Sequence, residues 1–232
     1  MRYIAFFGLL FALLVPVSAV AGWEENYDAL LKKYVTSEGV RYKAWKKNAD
    51  DMKALTEVVT AIGDAKRTDL AFYLNAYNAW ILHKTLAMYP TKSVKDPLFT
   101  FFLKDSIRVG GKKVSFNKLE KDLIRKKFSE PRIHFALNCA SRSCPPLWNA
   151  VFKDGALEKP LAKLASDFMN STNGVEVAGN KVRLSKIFEW YAEDFGGEKA
   201  VLEYIGENRK TPLPKGGSIS YQTYNWNLNE AP

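Results

Sequence analysis

Two cysteines and two histidines carry the thiol and imidazole chemistry available to this 232-residue chain. Cys139 and Cys144 flank four residues in the small-residue stretch Cys139-Ala140-Ser141-Arg142-Ser143-Cys144-Pro145-Pro146, and His134 lies just upstream. Three chemistries fit that arrangement. A disulfide between Cys139 and Cys144 would close a short loop, and is the default in an oxidising compartment. A free Cys139 would instead be a nucleophile, with the His134 imidazole lowering the thiol pKa and the backbone N–H groups of Ala140 to Ser143 stabilising an oxyanion. A metal site is the weakest of the three, because the four-residue gap departs from the usual paired-cysteine spacing and His83 or His134 would have to be recruited. No metal and no cofactor are therefore expected.

A second constellation is Asn75, Tyr77 and Asn78, set in the otherwise apolar run from Leu70 to Leu82. Asn75 and Asn78 share a helix face, and burying two amides without partners would cost several kcal/mol, on the order of ~2 or more each. They must bond to something. Either they tie the helix to the backbone of an irregular loop, or they orient a substrate or a catalytic histidine. Glu189, Glu193 and Asp194 offer a carboxylate that would orient a histidine, but their pattern equally fits a solvated helix edge.

Positioning these groups falls to a helical amino-terminal third: Glu24 to Tyr34, Trp45 to Ile62, and Thr68 to Met88, with Thr68 and Asp69 as the cap and Tyr89-Pro90 as the stop of the last. Apolar residues on nearly every face make that last helix central and buried. Two similar stretches about 68 residues apart, Val109 to Leu119 and Val177 to Ile187, each read as a hairpin feeding a helix. Gly110-Gly111 and Gly179-Asn180 suit the turns, and Asn117 and Ser185 the helix caps. Pro131 to Asn138 has the length and punctuation of a buried strand; His134 would then point away from Cys139 unless the chain turns at Asn138. Helices are expected near Ala156 to Met169 and Ile187 to Phe195, and a final strand over Ile219 to Trp226. The class is α+β: one helix-rich domain with a central buried helix on a small, mostly antiparallel sheet.

The chain opens with Arg2, an apolar run from Ile4 to Val15, and Ala19-Val20-Ala21, the order of parts in a cleavable signal peptide over residues 1–21. Residues 22–232 then form the domain, exported and, from the style of the signal, in a bacterial periplasm. No later segment is apolar enough to span a bilayer. Aromatic residues at 13% exclude a disordered chain. The formal net charge of +9 would favour anionic envelope polymers or lipid headgroups, yet the basic residues are mixed with acids, as in Lys118 to Lys127, which reads as a solvated helix face. No nucleic-acid motif is present.

Four blocks in order, Phe72 to Ala79, His134 to Leu147, Trp190-Tyr191 with Asp194-Phe195, and Tyr224 to Asn229, resemble the domain of unknown function 547 family across nearly all of residues 22–232. That resemblance names no reaction. It implies that Asn75, Tyr77, Asn78, Cys139 and Ser141 occupy motif positions, and that serine replaces Cys144 in some relatives, which gives Cys139 weight as a functional thiol. The order of a core helix and a later histidine segment also loosely resembles the papain and transglutaminase superfamily. The departure is plain: the nucleophilic cysteine of that superfamily opens the core helix, and no cysteine lies in this one.

The expectation is an exported thiol-dependent hydrolase or acyl transferase acting on an unidentified envelope substrate. Cys139 would be the nucleophile, His134 the general base, and Asn75 or Asn78 the orienting or oxyanion group, with Tyr77, Ser141 and Arg142 in binding. The alternative is a non-catalytic envelope binding or scaffold module with Cys139 and Cys144 bridged.

Overall fold

The computed structural model of the protein describes residues 22–95 and 100–232. The expected signal peptide over residues 1–21 lies outside the described residues. Helix Trp23–Tyr34 buries Tyr27, Leu30, Leu31 and Tyr34, the spacing of one helical face, against helix Ala49–Asp64, which answers with Leu55, Val58, Val59 and Ile62. The helix expected over 45–62 is two helices, Tyr42–Lys47 and Ala49–Asp64. Asn48 separates them: its backbone is extended, and its side-chain oxygen accepts the Asp51 N–H at 3.0 Å as an N-cap. Asn48→Ala is expected to destabilise the protein by about 1 kcal/mol, lowering the melting temperature by about 2–4 °C, measurable by thermal denaturation.

Helix Leu70–Met88 is the centre of the molecule. Asp69 caps it by accepting the Phe72 N–H at 2.9 Å, and every residue from Ala71 to Ala79 is buried. It packs against Ala49–Asp64, Tyr42–Lys47 and a π-helical stretch, Leu119–Arg125. The surroundings of the core helix are thus largely helical, and the strands are spread over three small sheets rather than one beneath it. Val35–Thr36 pairs with Gly39–Val40, and Ile107–Val109 with Lys112–Val114, both antiparallel. Val175–Ala178 pairs antiparallel with Lys181–Leu184, which pairs in parallel with Ser218–Tyr221. The helix-rich α+β class holds.

Both hairpins form where the glycine turns place them, Gly110 and Gly179 at φ of 60° and 59°. The cap after the first hairpin is Ser115, which accepts the Lys118 N–H at 3.1 Å, not Asn117. Ser185 caps after the second. Among the described residues no helix is long and apolar enough to cross a membrane.

Two features position the site. The strand expected over 131–138 is a single buried helical turn, Ile133–Ala136, because the Pro131 and Ile133 carbonyls accept the N–H groups of His134 and Leu137 at 3.2 and 2.9 Å. The alternation that would send His134 and Cys139 to opposite sides therefore does not apply. Beyond Ser218–Tyr221, the end of the chain lies across the cysteine loop. Arg142 and Ser143 donate their N–H groups to the Asn227 and Asn225 carbonyls at 2.8 and 3.2 Å, and Asn229 donates to the Ala140 carbonyl at 3.1 Å. The same segment bonds to Val40 and Lys92, which anchors it on two sides.

Candidate active site around Cys139

The buried amides of the core helix bond to loop backbone. Asn75 donates to the Phe152 carbonyl at 2.8 Å and accepts its N–H at 3.0 Å. Asn78 donates to the Ala136 carbonyl and accepts the Asn138 N–H, each at 2.9 Å. Each spends its oxygen and an amide hydrogen on loop backbone and neither lines the cavity that holds Cys139, so both belong to the frame of the site. Asn78 holds the segment that joins His134 to Cys139.

Asn138 continues that frame. Its side chain donates to the Pro145 carbonyl at 2.8 Å and accepts from the Ala140 N–H at 2.8 Å and the Asn229 amide at 3.3 Å. Those bonds fix Ala140 at φ 59°, a left-handed conformation that costs a non-glycine residue about 1–2 kcal/mol. The loop that results leaves no bridge between the cysteines. Both thiols are free, and the Cys139 N–H points at the Cys144 sulfur at 2.9 Å. The disulfide reading is corrected accordingly. The backbone oxyanion hole is corrected too: Ala140, Arg142 and Ser143 have N–H groups committed to Asn138, Asn227 and Asn225, and that of Ser141 bonds to the Cys139 sulfur.

The Cys139 sulfur lies 3.0 Å from Ser141 Oγ and 3.2 Å from the Tyr224 hydroxyl, and those two oxygens are 3.0 Å apart. Burial opposes ionisation of Cys139. Hydrogen bonds from Cys144, Ser141 and Tyr224 outweigh it and bring the thiol down to about 7. Cys144 is pushed well up, first by burial and then by Cys139 itself. Burial likewise raises Tyr224 well above its ordinary value, which keeps it a hydroxyl donor. The pair is thus asymmetric: Cys139 ionises and Cys144 does not.

His134 is buried with Nε2 2.7 Å from Asp194 Oδ2, and its ring stacks on Tyr191 at 3.9 Å. Arg125 clasps the same carboxylate through both oxygens, at 2.6 and 2.9 Å. His134 and then Arg125 hold Asp194 well below the usual carboxylate range. An ionised carboxylate only accepts, so Nε2 carries the proton and Nδ1 is left with a lone pair. This is the tautomer a general base needs.

Cys139 and His134 line one cavity of about 190 Å3, along with Tyr77, Glu120, Trp190 and Tyr224. Of the residues singled out from the sequence, the structure brings together Cys139, His134 and Tyr77, with Ser141 against the sulfur. Arg142 lines separate surface grooves and donates to the Glu230 carbonyl at 3.0 Å. His83 sits away from them, 3.3 Å from Thr56 Oγ1. The sequence offered Asp194, with Glu189 and Glu193, as a carboxylate to orient a histidine but held no motif to separate it from a solvated edge, and it pointed to neither Glu120 nor Tyr224 as a site residue. Asp194 and Tyr224 also fall in the resemblance blocks, which for Tyr224 is the one signal that singles it out.

The fold and site define a helix-rich α+β protein with an ionisable thiol and a carboxylate-oriented imidazole in one cavity. A family model described as "Protein of unknown function, DUF547" matches residues 62–169, and the chain belongs to that family. The matched residues include the core helix, His134 and both cysteines, and end before Asp194 and Tyr224. No curated protein and no solved structure matches the chain.

Proposed function

We propose that the protein is an exported thiol-dependent acyl-transfer enzyme, a hydrolase or acyl transferase of the cell envelope. The observation that carries this reading is the shared cavity of an ionisable Cys139 and a His134 whose Nε2 is bound to Asp194. Export rests on the signal-like residues 1–21. In the reaction, His134 Nδ1 takes the Cys139 proton, and the thiolate attacks the acyl carbon, whose carbonyl electrons move onto oxygen. The tetrahedral intermediate collapses, the leaving group departs with a proton from the imidazolium of His134, and a thioester remains on Cys139. Water or an amine then gives its proton to Nδ1 and attacks the thioester, and the acyl group leaves as that proton returns to the Cys139 sulfur. With the loop amides committed, the Tyr224 hydroxyl is the oxyanion donor. It bonds to sulfur in the resting enzyme and shifts to the oxyanion as sulfur loses its charge.

The test is to mix the protein with an activated ester such as p-nitrophenyl acetate, quench in acid and weigh it intact. One acetyl group on Cys139 is expected, absent from Cys139→Ala. No acyl adduct with any ester, together with alkylation half-maximal only at the ordinary thiol value of about 8.5, would end the proposal. Alkylation of Cys139 by iodoacetamide should instead rise through a midpoint near 7 and level off above it. Tyr224→Phe removes a donor to the thiolate, so its midpoint should move upward, and acylation should slow by about 10²–10³ for the loss of an oxyanion donor.

A further inference from the structure

We propose that the cavity beside Cys139 selects substrates bearing a positive charge, a protonated or quaternary amine close to the group the thiol attacks. The inference rests on the acyl-transfer reading of the same cavity. Charge is the first observation. The chain carries 34 lysines and arginines against 25 acidic residues, yet the cavity lining holds no lysine or arginine. Its fixed charge is the Glu120 carboxylate. A basic protein that keeps its cations out of its reactive cavity favours a cation there.

Glu120 sits in the π-helical stretch Leu119–Arg125, where the wider turn brings it to the cavity while Lys121, Asp122 and Lys126 remain outward. Its carboxylate takes the Tyr191 hydroxyl hydrogen bond. Among the described residues no salt bridge engages it. The cation nearest in the network, Arg125, is clasped to Asp194.

The second observation is an aromatic platform at the mouth. Trp190, Tyr224 and Trp226 form a triangle with ring centroids 4.8, 4.6 and 6.0 Å apart, and Trp190 is 46% exposed. Exposed indole faces beside a carboxylate attract organic cations. Lys95 Nζ lies 5.8 Å from the Trp226 ring but outside the cavity lining, so the exposed Trp190 indole is the face open to a ligand cation. A neutral acyl chain would use the aromatic faces and gain nothing from Glu120, and a sugar would gain hydroxyl hydrogen bonds there but no charge pairing. The carboxylate decides in favour of the cation.

Charge-matched thiol reagents test this without knowledge of the natural substrate. The trimethylammonioethyl and sulfonatoethyl methanethiosulfonates each transfer their thioalkyl group to the Cys139 sulfur and release methanesulfinate. Rates are followed by intact mass, with Cys139→Ser as the control for site. The cation-to-anion rate ratio, taken relative to a free small thiol, is expected to fall about tenfold in Glu120→Gln, the order for one nearby charge in a partly enclosed site. Trp190→Ala is expected to lower it about threefold, the scale of one cation–aromatic contact. Melting temperatures and labelling by neutral methyl methanethiosulfonate show whether each variant keeps its fold and thiol. An unchanged ratio in folded Glu120→Gln, with Cys139 still reactive, overturns the cation inference and leaves acyl transfer standing. Failure of all three reagents to label Cys139 in the native protein, with labelling after denaturation, overturns both.

Discussion

Asp194→Asn is expected to slow acylation of Cys139 by about 10²–10⁴, the scale of general acid–base catalysis, while leaving its alkylation midpoint near 7. Asp194 Oδ2 accepts from both His134 Nε2 and Arg125 Nε, whereas Oδ1 accepts only from Arg125 Nη2, so the single oxygen of an asparagine settles at the Oδ2 place and serves both donors. The tautomer survives, but the negative charge that offsets the imidazolium formed during the reaction is gone, and the asparagine NH₂ opposes the Arg125 guanidinium. Alkylation survives because the bonds that lower Cys139 come from Cys144, Ser141 and Tyr224. An electrostatic control accompanies the kinetics. The Asp194 carboxyl is lowered in the folded protein, so its stabilisation is present in full above the ordinary aspartate value of about 3.9 and is lost as pH falls through the lowered value. The stability gap between wild type and Asp194→Asn should therefore narrow in acid and be flat above about pH 6. Acylation at the wild-type rate in the variant would remove His134 from the mechanism.

The sequence revealed the parts of this site unevenly, for reasons that can be assigned residue by residue. Capped and strongly periodic helices were legible, as were the two glycine hairpins, because those signals are local. Asn75 and Asn78 were legible as groups that must find partners, since an amide on an apolar helix cannot go unpaired. The partners themselves, 77 and 58 residues away, were not. Residues 131–138 misled because four apolar positions satisfy a helical turn and a short strand equally well, and only tertiary context chooses. Cys139 and Cys144 read as a disulfide from spacing and compartment. The left-handed Ala140 turns the chain so that a peptide N–H, rather than a second sulfur, meets Cys144. Asp194 lies 60 residues from His134 and Tyr224 lies 85 from Cys139. Neither shows a periodicity or motif that separates it from a surface acid or a strand tyrosine. The site is assembled by the fold from distant stretches, so composition and spacing could name its sulfur and imidazole without deciding which of Glu189, Glu193 and Asp194 orients the imidazole.

Asn138→Ala should be the most destabilising single change in the cysteine loop, by about 3–5 kcal/mol. The residue is buried, and truncation orphans three groups at once: the Pro145 carbonyl, the Ala140 N–H and the Asn229 side-chain amide. Each unsatisfied buried group costs about 1–3 kcal/mol, and Ala140 loses the bond that supports its left-handed backbone. For a domain of this size the melting temperature should fall by about 6–20 °C. The effect is also expected to be non-additive with Asn229→Ala. Once Asn138 is gone, the Asn229 amide has lost that acceptor, so removing it as well relieves part of the penalty. A coupling of about 0.5–3 kcal/mol should appear in the double-mutant cycle. Tyr42 donates to the same Asn229 through its hydroxyl at 2.9 Å, so Tyr42→Phe extends the cycle along one chain of bonds. A melting temperature for Asn138→Ala within about 2 °C of wild type would mean that the loop closes without this residue. The geometry at Cys139 would then be a property of the carboxy-terminal segment laid across it, and Asn229→Ala would become the variant that displaces the thiol's pKa.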